Sequence, residues 1–168
     1  MRELMRKPWA WPTGIALAAF GLVGVGLVLA RTLNLAACPL CILQRMLYLL
    51  LGLVALLACV LHVRRAAQHA IQRWLASLMG AIALTGAGIA AYQSWLQRFA
   101  TDSSCALDQP WWERLVNWAG AQWPLLFEAS GFCSEAGWRL FGLSIAEWSL
   151  LAFLTLAGAA LVMLRKQR

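Results

Sequence analysis

Charge is scarce in this sequence. Lys, Arg, Asp and Glu make up 12% of its 168 residues, against 62% for the hydrophobic types, and an ordinary soluble domain carries roughly twice that charged fraction. A water-soluble globular domain is thereby excluded. Ready-made cofactor motifs are lacking as well: there is no dinucleotide-binding glycine fingerprint, no C-x-x-C-H haem signature and no iron–sulfur cysteine run. Histidine is nearly absent, and His62 and His69 share one short segment. Without a long linker, a low-complexity tract or an internal repeat, the chain reads as one domain, residues 1–168.

What is abundant is uninterrupted apolar sequence. Trp11 to Ala30, Ile42 to Leu61, Trp74 to Leu96 and Leu143 to Leu164 each approach the ~20 residues that cross a ~30 Å hydrocarbon core as a helix. Barrel strands are short and alternate apolar with polar residues, so these runs predict an all-α membrane protein, a four-transmembrane-helix bundle. Between them lie loops 31–41, 62–73 and 97–142.

The net charge of +7 is a matter of distribution. Arg2, Arg6, Lys7, Arg64, Arg65, Arg73, Arg165, Lys166 and Arg168 share one side of the membrane with Glu3 alone. Asp102, Asp108, Glu113, Glu128, Glu135 and Glu147 fall on the other, together with Arg31, Arg45, Arg98, Arg114 and Arg139. The positive-inside rule then puts both termini and loop 62–73 in the cytoplasm and exports loops 31–41 and 97–142. The basic excess is a topology signal, and no basic aromatic-lined module for nucleic acid accompanies it. The first thirty residues also have the basic start and apolar core of an export signal, and Leu35-Ala36-Ala37-Cys38 looks like a lipoprotein cleavage site. The apolar run exceeds the ~7–15 residues of a signal core, and Arg31 and Asn34 separate it from Cys38. A retained first span is expected.

Loop 97–142 is the one sizeable region outside the spans. Within it, Pro110 opens a stretch to Trp118 with apolar residues at helical spacing, which predicts a short amphipathic helix in the membrane interface. Trp111, Trp112, Trp118, Trp123 and Trp138 suit an aromatic belt better than a binding site. Small residues in the third span (Gly80, Ala83, Gly86, Ala87, Gly88, Ala90, Ala91) and the first (Ala18, Gly21, Gly24) predict close helix packing.

Of the 5 cysteines, Cys38, Cys41, Cys105 and Cys133 fall on the exported side, where in a bacterium disulfides persist. Cys59 lies within the second span and reads as a small hydrophobe. Cys105 and Cys133 are alone in the long loop, and a bond between them is the first pairing to consider. Their Ser- and Gly-containing surroundings fit a structural staple or an exchangeable bond equally well. Cys38 and Cys41 form a C-x-x-C pair where the second span begins, so the helix N-terminus favours thiolate there. Arg45 follows Cys41 by one turn on the same face. An arginine so near hydrocarbon either snorkels or serves function. Zinc ligation by the C-x-x-C is disfavoured, because the other two cysteines lack the matching spacing. Forming a disulfide releases two electrons that no side chain can hold, and with no bound-cofactor motif the acceptor that fits is a quinone dissolved in the bilayer.

Taken together, CPLCILQR from Cys38 to Arg45, the Cys105 and Cys133 pair, Gly131-Phe132-Cys133 and the Trp138 to Trp148 stretch WRLFGLSIAEW resemble the DsbB family of bacterial inner-membrane disulfide bond formation proteins. The resemblance implies a quinone-dependent thiol oxidase that serves a periplasmic DsbA-like, thioredoxin-like partner. It further implies disulfides Cys38–Cys41 and Cys105–Cys133, with partner attack on Cys105 and electrons passing on to Cys38–Cys41. Cys38 would receive the loop's thiol, Cys41 would face ubiquinone or menaquinone from the membrane pool, and Arg45 would support quinone binding. Relatives often carry a histidine near the exported end of the third span, where this chain reads Tyr92-Gln93-Ser94-Trp95, and proline before the fourth span, where it has Ala146. Two rivals are a membrane scaffold stapled by disulfides and a conduit carrying reductant outward from cytosolic thiols. The conduit needs reactive cysteines near the cytoplasm, and only Cys59 approaches it.

Overall fold

A computed structural model describes residues 9–63, 69–99, 110–134 and 137–166 of the chain. Cys105 and many of the basic residues that signal topology (2, 6, 7, 64, 65 and 168) lie outside them. Among the described residues, four helices are long and apolar enough to cross a membrane: α1 (Ala10–Thr32), α2 (Pro39–Val63), α3 (His69–Phe99) and the last, α6 (Ile145–Lys166). At ~1.5 Å per residue, even the 22 residues of α6 suffice. The protein is therefore an all-α, four-span membrane protein. Between α3 and α6 come α4 (Trp111–Gln122), α5 (Pro124–Phe127) and the two-residue strands β1 (Arg139–Leu140) and β2 (Leu143–Ser144).

In the bundle α1 packs on α2, α2 on α3, α3 on α6, and α6 back on α1. The core runs through Ile15, Val23, Tyr48, Leu51, Met79 and Phe153. Leu17, Val25, Leu53, Leu84 and Leu154 face outward, as side chains solvated by lipid should. With no hydrophobic effect to draw helices together in hydrocarbon, close approach of small residues matters most. Ala55, Ala58, Ala83, Ala87, Ala90 and Ala160 are all buried. A Cβ on Gly86 would lie 2.3 Å from the Phe153 ring, and that ring stacks on Tyr48 with centroids 4.0 Å apart. Tyr48 Oη in turn donates to the Ser149 carbonyl at 3.1 Å. The small residues of the first span behave differently from expectation. Ala18, Gly21 and Gly24 lie on its outer face, and Ala16, Ala19 and Val23 point inward instead. The inward face of α1 is chosen by its larger apolar neighbours Ile15 and Val23, which repeat at helical spacing with Ala16 and Ala19.

The loop from α1 to α2 is built by its caps. Asn34 takes a left-handed φ of 49°, a conformation Asn tolerates better than most residues. The Leu35 N–H then returns to Ala30 O at 2.9 Å, the closing bond of a Schellman turn. Proline opens α2 as Pro39, where its missing N–H costs nothing.

The described residues between α3 and α6 form more than a simple loop. Pro110 flanks α4, Glu113 sits in its first turn, and Val116 and Ala119 form its buried face while Trp111 and Trp118 are exposed. A tight corner leads into α5: a Cβ on Gly120 would lie 2.8 Å from Phe127 O. The hairpin pairs Arg139 with Ser144 and Leu140 with Leu143. Its two turn residues, Phe141 and Gly142, both have positive φ, 52° and 81°, as a primed hairpin turn requires. Ser144 then caps α6 reciprocally: Glu147 N donates to Ser144 Oγ at 3.4 Å, and Ser144 N to Glu147 Oε2 at 2.7 Å. This is the S-x-x-E capping box. Arg98 of α3 pairs with the same carboxylate, so the fourth span is anchored where it begins. The span was expected to start at Leu143; the hairpin occupies residues 139–144 because Phe141 and Gly142 supply the turn.

Candidate active site

Cys38 immediately precedes α2, and Ile42 N donates to Cys38 O at 3.1 Å, so Cys38 occupies the capping position. The Cys41 N–H, one of the unpaired donors of a helix N-terminus, is 3.3 Å from Cys38 Sγ. The two sulfurs lie 3.0 Å apart as separate thiols, Cys38 donating to Cys41. Cys38 is buried and Cys41 half-buried. C-x-x-C spacing across a helix start thus places two sulfurs side by side and turns backbone N–H groups onto them.

A second loop closes over the first. Ser130 N and Gly131 N both donate to Ala37 O, at 2.9 and 3.0 Å. A Cβ on Gly131 would stand 2.5 Å from Ala36 O, so only glycine lets the two backbones come this close. Two residues on, the Cys133 thiol lies close enough to Cys38 and to the backbone of Leu40, in the first turn of α2, for their S–H and N–H groups to act on its proton. Those contacts fix the proton. The Cys38 S–H beside it and the Leu40 N–H hold Cys133 below the usual thiol range. Hydrogen bonds from Cys38 to Cys133 and Cys41, together with burial, push Cys38 well above it. One S–H serves one acceptor at a time, so Cys38 stands as the pivot between Cys133 and Cys41.

Arg45 is half-buried one turn beyond Cys41, within electrostatic reach of its sulfur. One guanidinium N–H donates to Leu126 O, which ties α5 to α2. The structure therefore gathers Cys38, Cys41, Cys133 and Arg45 at one end of α2, and Cys105 is outside the described residues. Cys59 lies on the same helix about 27 Å away at ~1.5 Å per residue, beside Thr13 Oγ1 at 3.1 Å. His62 and His69 are also at that far end, in the last turn of α2 and at the start of α3.

Two site residues were not singled out for chemistry from the sequence. Gln93, 1% exposed, donates its amide to Cys38 Sγ at 3.2 Å and Cys41 Sγ at 3.0 Å. Gln44, 4% exposed, donates to Gln93 Oε1 at 2.8 Å. The signal was present in that a polar amide inside an apolar span is costly unless it has a partner, and is therefore a functional candidate.

This geometry can be set beside known proteins. The sequence model of the family described as "Disulfide bond formation protein DsbB" matches residues 8–163. A "Disulfide bond formation protein B" from Dechloromonas aromatica (strain RCB) is 43% identical over 162 residues, covering 95% of this chain and 94% of that protein. One of the same name from Nitrosospira multiformis is 35% identical over 166 residues, 95% of each chain. Another, "Disulfide bond formation protein B 1" of Pseudomonas aeruginosa, is 32% identical over 161 residues, 92% of this chain and 96% of the relative. With three thiols gathered at one end of a four-span bundle and the match running almost from end to end, the chain belongs to the DsbB family of disulfide bond formation proteins.

Proposed function

We propose that the protein reoxidises a periplasmic, thioredoxin-like dithiol oxidase by disulfide exchange and delivers the electrons to membrane quinone from the periplasmic face of a bacterial inner membrane. The observation that carries this reading is the contact of Cys133 with Cys38, whose sulfur also lies 3.0 Å from Cys41. A thiol from the second loop thus abuts the C-x-x-C pair in the order that exchange requires.

The oxidised protein carries Cys105–Cys133 and Cys38–Cys41 bonds. A thiolate of the reduced partner attacks Cys105 Sγ, the Cys105–Cys133 bond breaks, and Cys133 leaves as a thiolate favoured by the Leu40 N–H. Cys133 Sγ then attacks Cys38 Sγ, a Cys133–Cys38 bond forms, the Cys38–Cys41 bond breaks, and Cys41 departs as thiolate. The partner's second thiolate then displaces Cys105 from the mixed disulfide, closing the partner's own disulfide, and Cys105 attacks Cys133, remaking Cys105–Cys133 and releasing Cys38 as thiolate. Each exchange conserves the number of disulfides. Net oxidation of the partner removes two electrons and two protons, which a quinone takes up when bound. The donor set suits such a group: a planar guanidinium with N–H groups beyond the one given to Leu126, beside the less buried of the paired sulfurs, matches a carbonyl oxygen that gains charge. Arg45 and Cys41 would hold it.

The test is reconstitution. Full-length protein in proteoliposomes should consume ubiquinone or menaquinone when given a reduced thioredoxin-like partner, and Cys133→Ala should accumulate a mixed disulfide between Cys105 and that partner. A protein whose disulfides stay inert toward the dithiol would be a stapled scaffold, and the reading would fall.

A further inference from the structure

The thiol pair rests on a relay of two neutral amides. Gln93 reaches it from α3 and Gln44 from α2, each at least nine-tenths buried. A carboxamide has two N–H donors and one carbonyl acceptor, and on Gln93 all have partners: the nitrogen faces both sulfurs, and the oxygen accepts from Gln44. Turning the Gln93 amide over would set its nitrogen against the Gln44 nitrogen and its oxygen lone pairs against sulfur. Among the described hydrogen bonds Gln44 makes none to sulfur, yet its bond selects the end of Gln93 that does.

We propose that Gln93 is a catalytic hydrogen-bond donor to the thiolate Cys41 carries on leaving Cys38, and that Gln44 is the positioning residue that keeps Gln93 turned toward the sulfurs. The proposal rests on the exchange reading above and assigns the relay a step within it. When the Cys38–Cys41 bond breaks under attack by Cys133, the electron pair stays on Cys41 Sγ, toward which the Gln93 amide already donates; Cys38, then bonded to Cys133, has no S–H left to give. Donors fixed in advance toward a developing charge need no reorganisation when it forms. A neutral amide supplies them without burying a second cation beside Arg45, which would carry a large desolvation cost. Among the described residues, the other titratable or charged groups facing the sulfurs are Arg45 on α2, Cys38 and Cys133 from the two loops, and Glu113 on α4, which acts on Cys133. The variants below leave all of them unchanged.

Full-length protein, reduced and freed of quinone in detergent, is alkylated across a pH series, and the Cys41 peptide is followed by mass spectrometry. Gln93→Met keeps the volume and removes the donors. It should slow Cys41 alkylation at neutral pH about tenfold, the worth of one hydrogen bond to a charged group, and move the profile to higher pH. Gln44→Leu should slow it about threefold alone and add nothing in the Gln93→Met background, since contacting residues in one network are not additive. An unmoved profile in folded Gln93→Met overturns the donor role, and additive effects overturn the positioning role. Should Gln93→Met fail to fold, Gln93→Asn, with its amide drawn back by one methylene, must still shift the profile upward or the donor role falls. The readout needs neither partner nor quinone. A wild-type protein that fails to oxidise a partner sinks the proposed function and the catalytic step with it, while the alkylation profile still reads the donation to Cys41; an unmoved alkylation profile sinks the relay alone.

Discussion

The two ends of α2 carry the same residue type in opposite circumstances. At the first turn Cys41 Sγ accepts from Cys38 and Gln93 and has Arg45 within electrostatic reach. Near the last turn Cys59 has a threonine hydroxyl beside it and apolar neighbours. Toward the same end of the bundle, Trp11 Nε1, His62 Nε2 and both amide atoms of Gln72 are buried with no hydrogen-bond partner among the described residues. Reactivity in a membrane is thus set by how many donors converge on sulfur, and a cysteine in a span acquires it only where backbone N–H groups and buried amides are brought together. Serine in place of each thiol separates the two ends most strongly. Cys41→Ser should reduce quinone-linked partner oxidation by at least about a thousandfold, as loss of a nucleophile does, while Cys59→Ser should stay within about twofold. Comparable losses would mean that both ends take part.

A second contrast separates positioning from packing, and glycine reports both. Gly131→Ala forces Cβ toward Ala36 O and should push loop 130–133 away from Ala37. Exchange between Cys133 and Cys38 should slow about 10–100-fold, as for a misplacement of about an ångström, and thermal unfolding in detergent should change little. Gly86→Ala meets the Phe153 ring and should do the reverse, costing about 1–3 kcal/mol of stability through overpacking and leaving the exchange rate of folded protein near normal. Gly88, with nothing within 4 Å of an added Cβ, is the control. A uniform response from all three would erase the distinction.

The proton between the loops gives a smaller effect. Cys133 is held below the usual thiol range chiefly by the Cys38 S–H. In the reduced protein its thiolate therefore persists to lower pH than in the unfolded chain. A lowered folded pKa stabilises above the unfolded value, and that contribution is lost as pH falls through the folded value. Cys38→Ala removes the donor and should raise the pH at which Cys133 alkylates, with roughly a several-fold slower reaction at neutral pH. Cys38, raised by the same bonds and by burial, has the opposite sign and should resist alkylation until higher pH.

Much of this was legible in the residues. Spans follow from run length, because a helix is the only way an isolated apolar segment satisfies its backbone in lipid. The C-x-x-C with Arg45 marked the site, because those residue types are costly at a membrane edge. The contact of Cys133 with Cys38 was not legible as geometry, since it depends on Gly131 passing under Ala36 through a packing of two loops far apart in sequence. Gln93 was overlooked for a related reason: it lies in the third span, and only the packing of α3 on α2 turns it toward the sulfurs. In the first span, Gly21 and Gly24 suggested a packing face, but small residues allow close approach without requiring it.

The smallest effect is expected where the fourth span begins. Ser144 and Glu147 satisfy one another across the first turn of α6, and Arg98 adds an ion pair from α3. Arg98 is 58% exposed at its side chain, so Arg98→Ala should cost no more than about 1 kcal/mol, and less at high salt. Ser144→Ala removes the cap from a buried site and should cost about 1 kcal/mol without salt dependence. Thermal unfolding at low and high salt distinguishes them. Neither variant should alter Cys41 alkylation, because no capping atom reaches the sulfurs. A change there would mean that the α6 entry and the thiol pair are coupled through Tyr48 and Ser149, a polar link between α2 and α6.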